Sequence, residues 1–80
     1  MKITTARQAL ESVEARCGRA YREARTARNR DKERARRECH AWQACLETCT
    51  AIYHEDTSEA DRLERIMGLK LHISIYGASY

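Results

Sequence analysis

The feature that most constrains this chain is its shortage of large aliphatic side chains. Leu, Ile, Val and Phe together contribute 11 of the 80 residues, whereas alanine alone contributes 12. So few bulky residues cannot build a sizeable hydrophobic core, and domains of this size usually draw extra stability from disulfides, metals, self-association or a partner. The 15 basic and 12 acidic side chains nearly cancel, which allows a compact state. The length predicts one small domain, residues 1–80.

The composition favours helices over strands. The chain has no proline and three glycines, too few turn residues for a β-sandwich, and it is rich in the helix formers Ala, Arg and Glu. Two stretches carry apolar residues at spacings of three and four, which places each set, here called a seam, on one helix face. The seams predict helices over residues 3–28 and 31–54. They consist of Ile3, Ala6, Leu10, Val13, Cys17, Ala20, Ala24 and Ala27, and of Ala35, Cys39, Trp42, Leu46, Cys49 and Tyr53.

The polar stretch between the two seams, residues 28–34, is the candidate turn. Asn29 can adopt the left-handed conformation that ends a helix, and Asp31 can cap the next one. We therefore expect an antiparallel helical hairpin, with Trp42 buried against residues 10–24. The alternative is one unbroken helix through residue 54, because nothing in the turn forbids a helix.

The last third of the chain predicts a short third helix and then an extended segment. Ser58 and Asp61 resemble a capping box, so we expect a helix over residues 58–67 that stops at Gly68. Residues 69–76 then alternate apolar and polar side chains with the period of a strand. A lone strand leaves its backbone groups unpaired. The segment would therefore pair with a second copy in a homodimer, join a partner's sheet, or form the end of the third helix, because its apolar residues also keep helical spacing.

Charge is unevenly distributed along the chain. Residues 1–37 hold 12 Lys or Arg and five Asp or Glu, a net charge of +7, whereas residues 38–80 hold three and seven, a net charge of −4. Guanidinium groups suit phosphate and carboxylate partners. We therefore expect a surface that binds an acidic macromolecule, either a protein complex or nucleic acid; a solvated helix face is the alternative. The predicted surface consists of Arg16, Arg19, Arg22, Arg25, Arg30, Arg34 and Arg37.

The four cysteines predict buried thiols rather than a reactive site. Cys39, Cys45, Cys49 and His54 are the weak candidates for metal ligands, because zinc sites usually take thiolates from CxxC pairs rather than from one helix. A disulfide is a further alternative. Free cysteine is often a small buried hydrophobe, so we expect reduced, metal-free thiols and no cofactor.

The sequence contains no acid–base pair, phosphate-binding loop or nucleophile arrangement that would indicate an enzyme. It also lacks an apolar run of membrane-spanning length and a start typical of a signal peptide. These observations predict a cytoplasmic, non-enzymatic binding protein that does not engage a membrane.

In its size, its lack of enzyme motifs and its two-signed charge distribution, the whole chain resembles the small accessory proteins of phages and mobile elements, of which anti-CRISPR inhibitors are one class. The resemblance lies in this general character and not in a motif. It implies a stoichiometric inhibitor that blocks a nucleoprotein defence complex through charged helix faces, in the host cytoplasm. The alternatives are a nonspecific nucleic-acid-binding or regulatory protein that uses the arginine surface, and a structural helical oligomerisation module.

Overall fold

A computed structural model describes residues 2–77 and consists of three helices. They are α1 (Ala6–Thr26), α2 (Arg30–Tyr53) and α3 (Glu59–Tyr76), and each helix packs against the other two. The predicted mainly helical class is therefore confirmed. Of the predicted domain, residues 1 and 78–80 lie outside the described part of the chain.

Side-chain caps set the starts of α1 and α3. The Thr5 hydroxyl accepts a hydrogen bond from the Gln8 N–H at 3.1 Å, and Gln8 Oε1 accepts one from the Thr5 N–H at 3.2 Å. This reciprocal capping box starts α1 at Ala6, three residues later than predicted. The Ser58 hydroxyl accepts from the Asp61 N–H at 3.1 Å, so the predicted cap of the third helix is confirmed.

Helices α1 and α2 are separate, and the connection between them lies at the predicted turn. Residues 27–29 join the two helices. The cap residue at the end of α1 is Ala27, in an extended conformation, so the prediction that Asn29 ends this helix in the left-handed conformation is wrong. Asn29 has a φ of 56° and a ψ of −125°, outside the left-handed helical region, and directly precedes α2. The prediction that Asp31 caps α2 is wrong, because Asn29 occupies the cap position and Asp31 lies in the first turn. There its carboxylate interacts favourably with the positive end of the helix dipole.

The two seams supply seven of the eleven buried core residues, and Ala9, Cys45, Ile52 and Ile66 supply the other four. The buried side chains of α1 are small, mostly alanine, and Trp42 of α2, which is 1% exposed, is the largest fully buried side chain among the described residues. Trp42 is therefore the core residue that its seam position predicts. The buried set comprises Ala6, Ala9, Val13, Cys17 and Ala20 of α1, Cys39, Trp42, Cys45, Cys49 and Ile52 of α2, and Ile66 of α3.

Residues 69–76 are helical, so the predicted stop of the third helix at residue 67 and the extended segment after it are both wrong. The helix continues through Gly68, where nothing lies within 4 Å of an added Cβ and φ is not positive. A helix satisfies the backbone hydrogen bonds locally, whereas a lone strand does not. It also places the half-buried Leu69 and Ile73 beside Ile66 and leaves the other apolar residues of the segment outside.

Contacts at both ends of α3 fix its position along the other two helices. Glu59 Oε1 accepts a hydrogen bond from the Ala6 N–H at 2.6 Å, which joins the start of α3 to the start of α1. At the other end, an added Cβ on Gly77 would lie 3.6 Å from Ala41 Cβ of α2. The connection between α1 and α2 and the helix ends that adjoin it therefore extend beyond α3.

Candidate functional site

Most of the arginines predicted to bind a partner lie on the part of the molecule that extends beyond α3. We call this part, residues 19–37, the basic end; it holds nine basic and three acidic residues. It consists of the last two turns of α1, the connection and the first two turns of α2. The exposed members of the predicted surface are Arg19, Arg22, Arg25, Arg30, Arg34 and Arg37.

Arg16 does not belong to this exposed set. Its guanidinium carbon lies 5.0 Å from the centre of the Trp42 ring, and its Nη1 atom is buried with no hydrogen-bond acceptor among the described residues. A spacing of three residues turns about 60° per step around a helix, so the arginine row starts at the flank of the α1 seam and only then reaches the outer face. Arg16 is therefore half-buried, unlike the other members of the predicted surface.

The arginines of the basic end form no ion pairs within residues 2–77. The ion pairs of that range involve only Arg62 and Arg65 of α3, with carboxylates of α3 and of the segment before it. Arg25 of the basic end instead contacts an aromatic ring: its guanidinium carbon lies 5.8 Å from the centre of the Tyr21 ring. The guanidinium groups of the basic end therefore remain available to carboxylates or phosphates of a partner.

A groove of mixed charge runs between α1 and α2 beside the connection. It has a volume of about 480 Å³. Arg16 and Arg34 supply its positive charge, and the carboxylates of Glu23, Asp31 and Glu38 supply its negative charge. A surface that alternates charge in this way suits another protein surface better than a uniformly negative phosphate backbone.

A second groove, of about 400 Å³, lies on the outer face of α2 and is predominantly basic. Lys32, Arg36 and His40 follow one another at intervals of four residues, which places them on the same helix face. Arg37 and Glu33 complete its charged lining. The predicted surface did not include Lys32 or His40, although their spacing of four residues from Arg36 was visible in the sequence.

The cysteines lie in the core and do not form a ligand set. All four are free and buried, and Cys45 Sγ lies 3.8 Å from Cys49 Sγ, one helical turn away. His54 is exposed after the end of α2, where its ring packs edge-on against Tyr53 with 5.3 Å between ring centres. Residues 2–77 contain no group of three or more His, Cys, Asp or Glu side chains that could hold a metal ion.

The environments of the buried thiols shift their pKa values in different directions. Burial, together with the nearby Cys39 and Cys45, raises the pKa of Cys17. The hydrogen bond between Cys45 and Cys49 lowers the pKa of Cys45 and, with burial, raises that of Cys49. The thiolate is the reactive form of a cysteine, and the burial of all four thiols in the core keeps reagents away from them.

No protein-family model, curated protein or solved structure matches this chain. The assignment of function therefore rests on the chain's own residues. None of the three helices in residues 2–77 combines the length and the apolar content that a membrane crossing requires.

Proposed function

We propose that this protein is a non-enzymatic binding protein that acts in stoichiometric amounts on a nucleoprotein complex, as small phage inhibitors of host defence do. In this proposal α1 and α2 act as one antiparallel hairpin, with the basic end at its turn. The protein would work in the host cytoplasm by occupying an acidic surface that the complex needs for its own function.

One observation carries this proposal: the basic end concentrates exposed arginines that have no ion-pair partner of their own within residues 2–77. Holding nine cations and only three anions close together is unfavourable in the free protein, since the surplus like charges repel. An acidic partner would remove that repulsion and would be attracted from a distance, which raises the rate of association.

The groove of mixed charge favours a protein partner over nucleic acid alone. Glu23, Asp31 and Glu38 lie among the arginines there and would repel a phosphate backbone. A protein surface can place its own cations against these carboxylates. Nonspecific binding of nucleic acid remains the second candidate function, and it is supported by the basic groove of Lys32, Arg36 and Arg37.

The test compares two double charge reversals that change the net charge equally. Arg19→Glu/Arg22→Glu alters the basic end, whereas Lys2→Glu/Arg7→Glu alters exposed positions at the start of the chain. Each tagged protein is mixed with extract of the cells in which it acts, and the retained complex is quantified. We expect the first variant to retain about tenfold less complex than wild type and the second to retain a normal amount.

Binding to random 20-nucleotide RNA and 20-base-pair DNA is measured in parallel, at about 50 and 200 mM salt. The proposal predicts negligible binding at the higher salt. Strong, salt-sensitive binding that Lys32→Glu/Arg36→Glu abolishes would support the nucleic-acid function instead. Equal losses from the two charge reversals in the capture experiment would show that the basic end is not the binding site.

A further inference from the structure

Arg16 is a cation that the free protein leaves without a counter-charge. It is half-buried, its Nη1 atom is fully buried without an acceptor, and it forms no ion pair within residues 2–77. Water surrounds the exposed arginines of the basic end and solvates their charge, whereas Arg16 has lost part of that solvation without a replacement. An unpaired charge in such a position is unfavourable. An acceptor supplied from outside would therefore gain more at Arg16 than at an exposed arginine.

The Trp42 ring restricts the Arg16 guanidinium before any partner arrives. The guanidinium carbon lies 5.0 Å from the centre of the ring, and Trp42 is itself enclosed in the core. A guanidinium presents its N–H donors as a rigid fork that matches the two oxygens of a carboxylate. Because the ring already limits the movement of this fork, less conformational freedom is lost when a carboxylate binds to it.

Arg16 lines the groove of mixed charge between α1 and α2, which has room for side chains of another molecule. The groove has a volume of about 480 Å³, and its other charged side chains are Arg34, Glu23, Asp31 and Glu38. Within residues 2–77 none of these five side chains forms an ion pair with another. Charges of both signs therefore line one space without neutralising each other.

We propose that Arg16 is the central binding residue of this groove and receives the carboxylate of an aspartate or glutamate side chain of a protein partner. Glu23 and Glu38 then contact lysine or arginine side chains close to that acidic residue in the same segment of the partner. The occupant is a polypeptide segment in which an acidic residue stands among basic ones. This inference rests on the proposed function, because it gives the chemistry of the same protein partner.

The net charge of the groove distinguishes this occupant from phosphate. Three carboxylates and two guanidinium groups line it, which gives a net charge of −1. A phosphate backbone brings only negative charge and is repelled by the carboxylates. A polypeptide segment that carries one carboxylate among cations offers an acceptor to Arg16 and counter-charges to Glu23 and Glu38, so it complements both signs.

A peptide titration of the full-length protein tests the proposal without the natural partner. Trp42 is the only tryptophan, so its fluorescence reports on the neighbouring Arg16, and saturation transfer to the peptide methyl protons gives a second readout. We expect acetyl-Lys-Ala-Glu-Ala-Lys-amide to bind with a dissociation constant of about 1 mM. The same peptide with glutamine in place of glutamate should bind about tenfold more weakly. Equal responses to the two peptides, no response, or equally tight binding of inorganic phosphate would overturn the proposal.

Arg16→Met separates binding from folding. Methionine can cover the Trp42 ring without carrying a charge, so the melting temperature should equal or exceed that of wild type, whereas binding of the glutamate peptide should be lost by both readouts. Arg7→Met makes the same change at an exposed position of α1 and should bind the peptide normally. An Arg16→Met protein that binds the glutamate peptide as wild type does would overturn the proposal.

Glu23→Lys distinguishes a protein occupant from nucleic acid in the capture from cell extract. It should lower the amount of retained complex, because it sets a cation against the cations of the partner segment, whereas a nucleic-acid occupant would be held more strongly. A gain in retained complex would overturn the proposal. If Arg19→Glu/Arg22→Glu lowers the capture and Arg16→Met does not, the proposed function stands and the role of Arg16 is refuted. If neither lowers the capture while the glutamate peptide still binds at Arg16, the groove stands and the proposed function is refuted.

Discussion

Arginine plays opposite roles at the two ends of this molecule. In α3, Arg62 donates a hydrogen bond to the Tyr53 carbonyl at 2.9 Å and pairs with Glu59 at 3.2 Å, and Arg65 pairs with Glu55 and Asp61. These side chains join α3 to the end of α2 and to the segment between the two helices. At the basic end the arginines are exposed and make no such bridges within residues 2–77. The same residue type is thus structural where acceptors surround it and available for binding where they do not.

The difference follows from how the acidic residues are distributed. Glu55 lies in the segment between α2 and α3, and Glu59 and Asp61 lie in the first turn of α3. These carboxylates pair with Arg62 and Arg65, so each guanidinium has a partner close in sequence. The basic end has three acidic residues for nine basic ones. Its surplus positive charge is not neutralised by carboxylates close in sequence, and in this respect it differs from the ion-paired arginines of α3.

The largest expected loss of stability comes from a substitution in the core, at Trp42. Trp42→Ala should destabilise the protein by about 3–5 kcal/mol, because it removes the largest buried side chain and leaves a cavity. That is most of the stability of a small domain, so the variant should be largely unfolded by circular dichroism at 25 °C. The matched change Tyr21→Ala, at an aromatic residue of the basic end that is 49% exposed, should cost less than about 0.5 kcal/mol. Comparable losses of stability in the two variants would show that Tyr21 at the basic end supports the fold as much as the core residue Trp42 does.

A smaller change in the free energy of unfolding distinguishes the ion-paired arginines of α3 from the exposed arginines of the basic end. Arg62→Ala should cost about 1–3 kcal/mol in urea unfolding, because it removes a charged hydrogen bond to a backbone carbonyl. Arg22→Ala, at an exposed position without an ion pair, should change the free energy of unfolding by less than about 0.5 kcal/mol. If Arg22→Ala proved as costly as Arg62→Ala, the basic end would have a structural role.

The smallest predicted effect is a pH dependence from the core. The pKa of Cys17 is raised above its ordinary value of 9.0 by burial, so the folded protein holds this proton more tightly than the unfolded chain does. The stabilisation is complete below pH 9 and is lost as the pH rises through the folded-state pKa. The melting temperature of wild type should therefore fall faster above pH 9 than that of Cys17→Ala. Parallel curves for the two proteins would show that Cys17 titrates alike in both states.

The sequence was informative where one pattern had one interpretation. Val13 and Trp42 fit only a helical seam, and both are in the core. Residues 69–76 carried two patterns at once, and packing decided between them: Ile73 lies against the other helices, whereas Leu71 faces outward. The position of Arg16 could not be read from spacing, because the reach of a long side chain onto the Trp42 ring depends on how α2 approaches α1. The acceptors of Arg62 could not be predicted from the sequence either, because one of them is the backbone carbonyl of Tyr53 and every residue carries such a carbonyl.

If the basic end serves binding and not stability, its exposed arginines can be replaced together without loss of the fold. The decisive variant replaces six of them with glutamine, which has a similar helix propensity, at Arg19, Arg22, Arg25, Arg30, Arg34 and Arg37. Urea unfolding of this variant should give a free energy within about 0.5 kcal/mol of wild type, or a higher one, because repulsion among the cations is relieved. A loss of more than about 2 kcal/mol would contradict the claim and would show that these arginines hold the fold together.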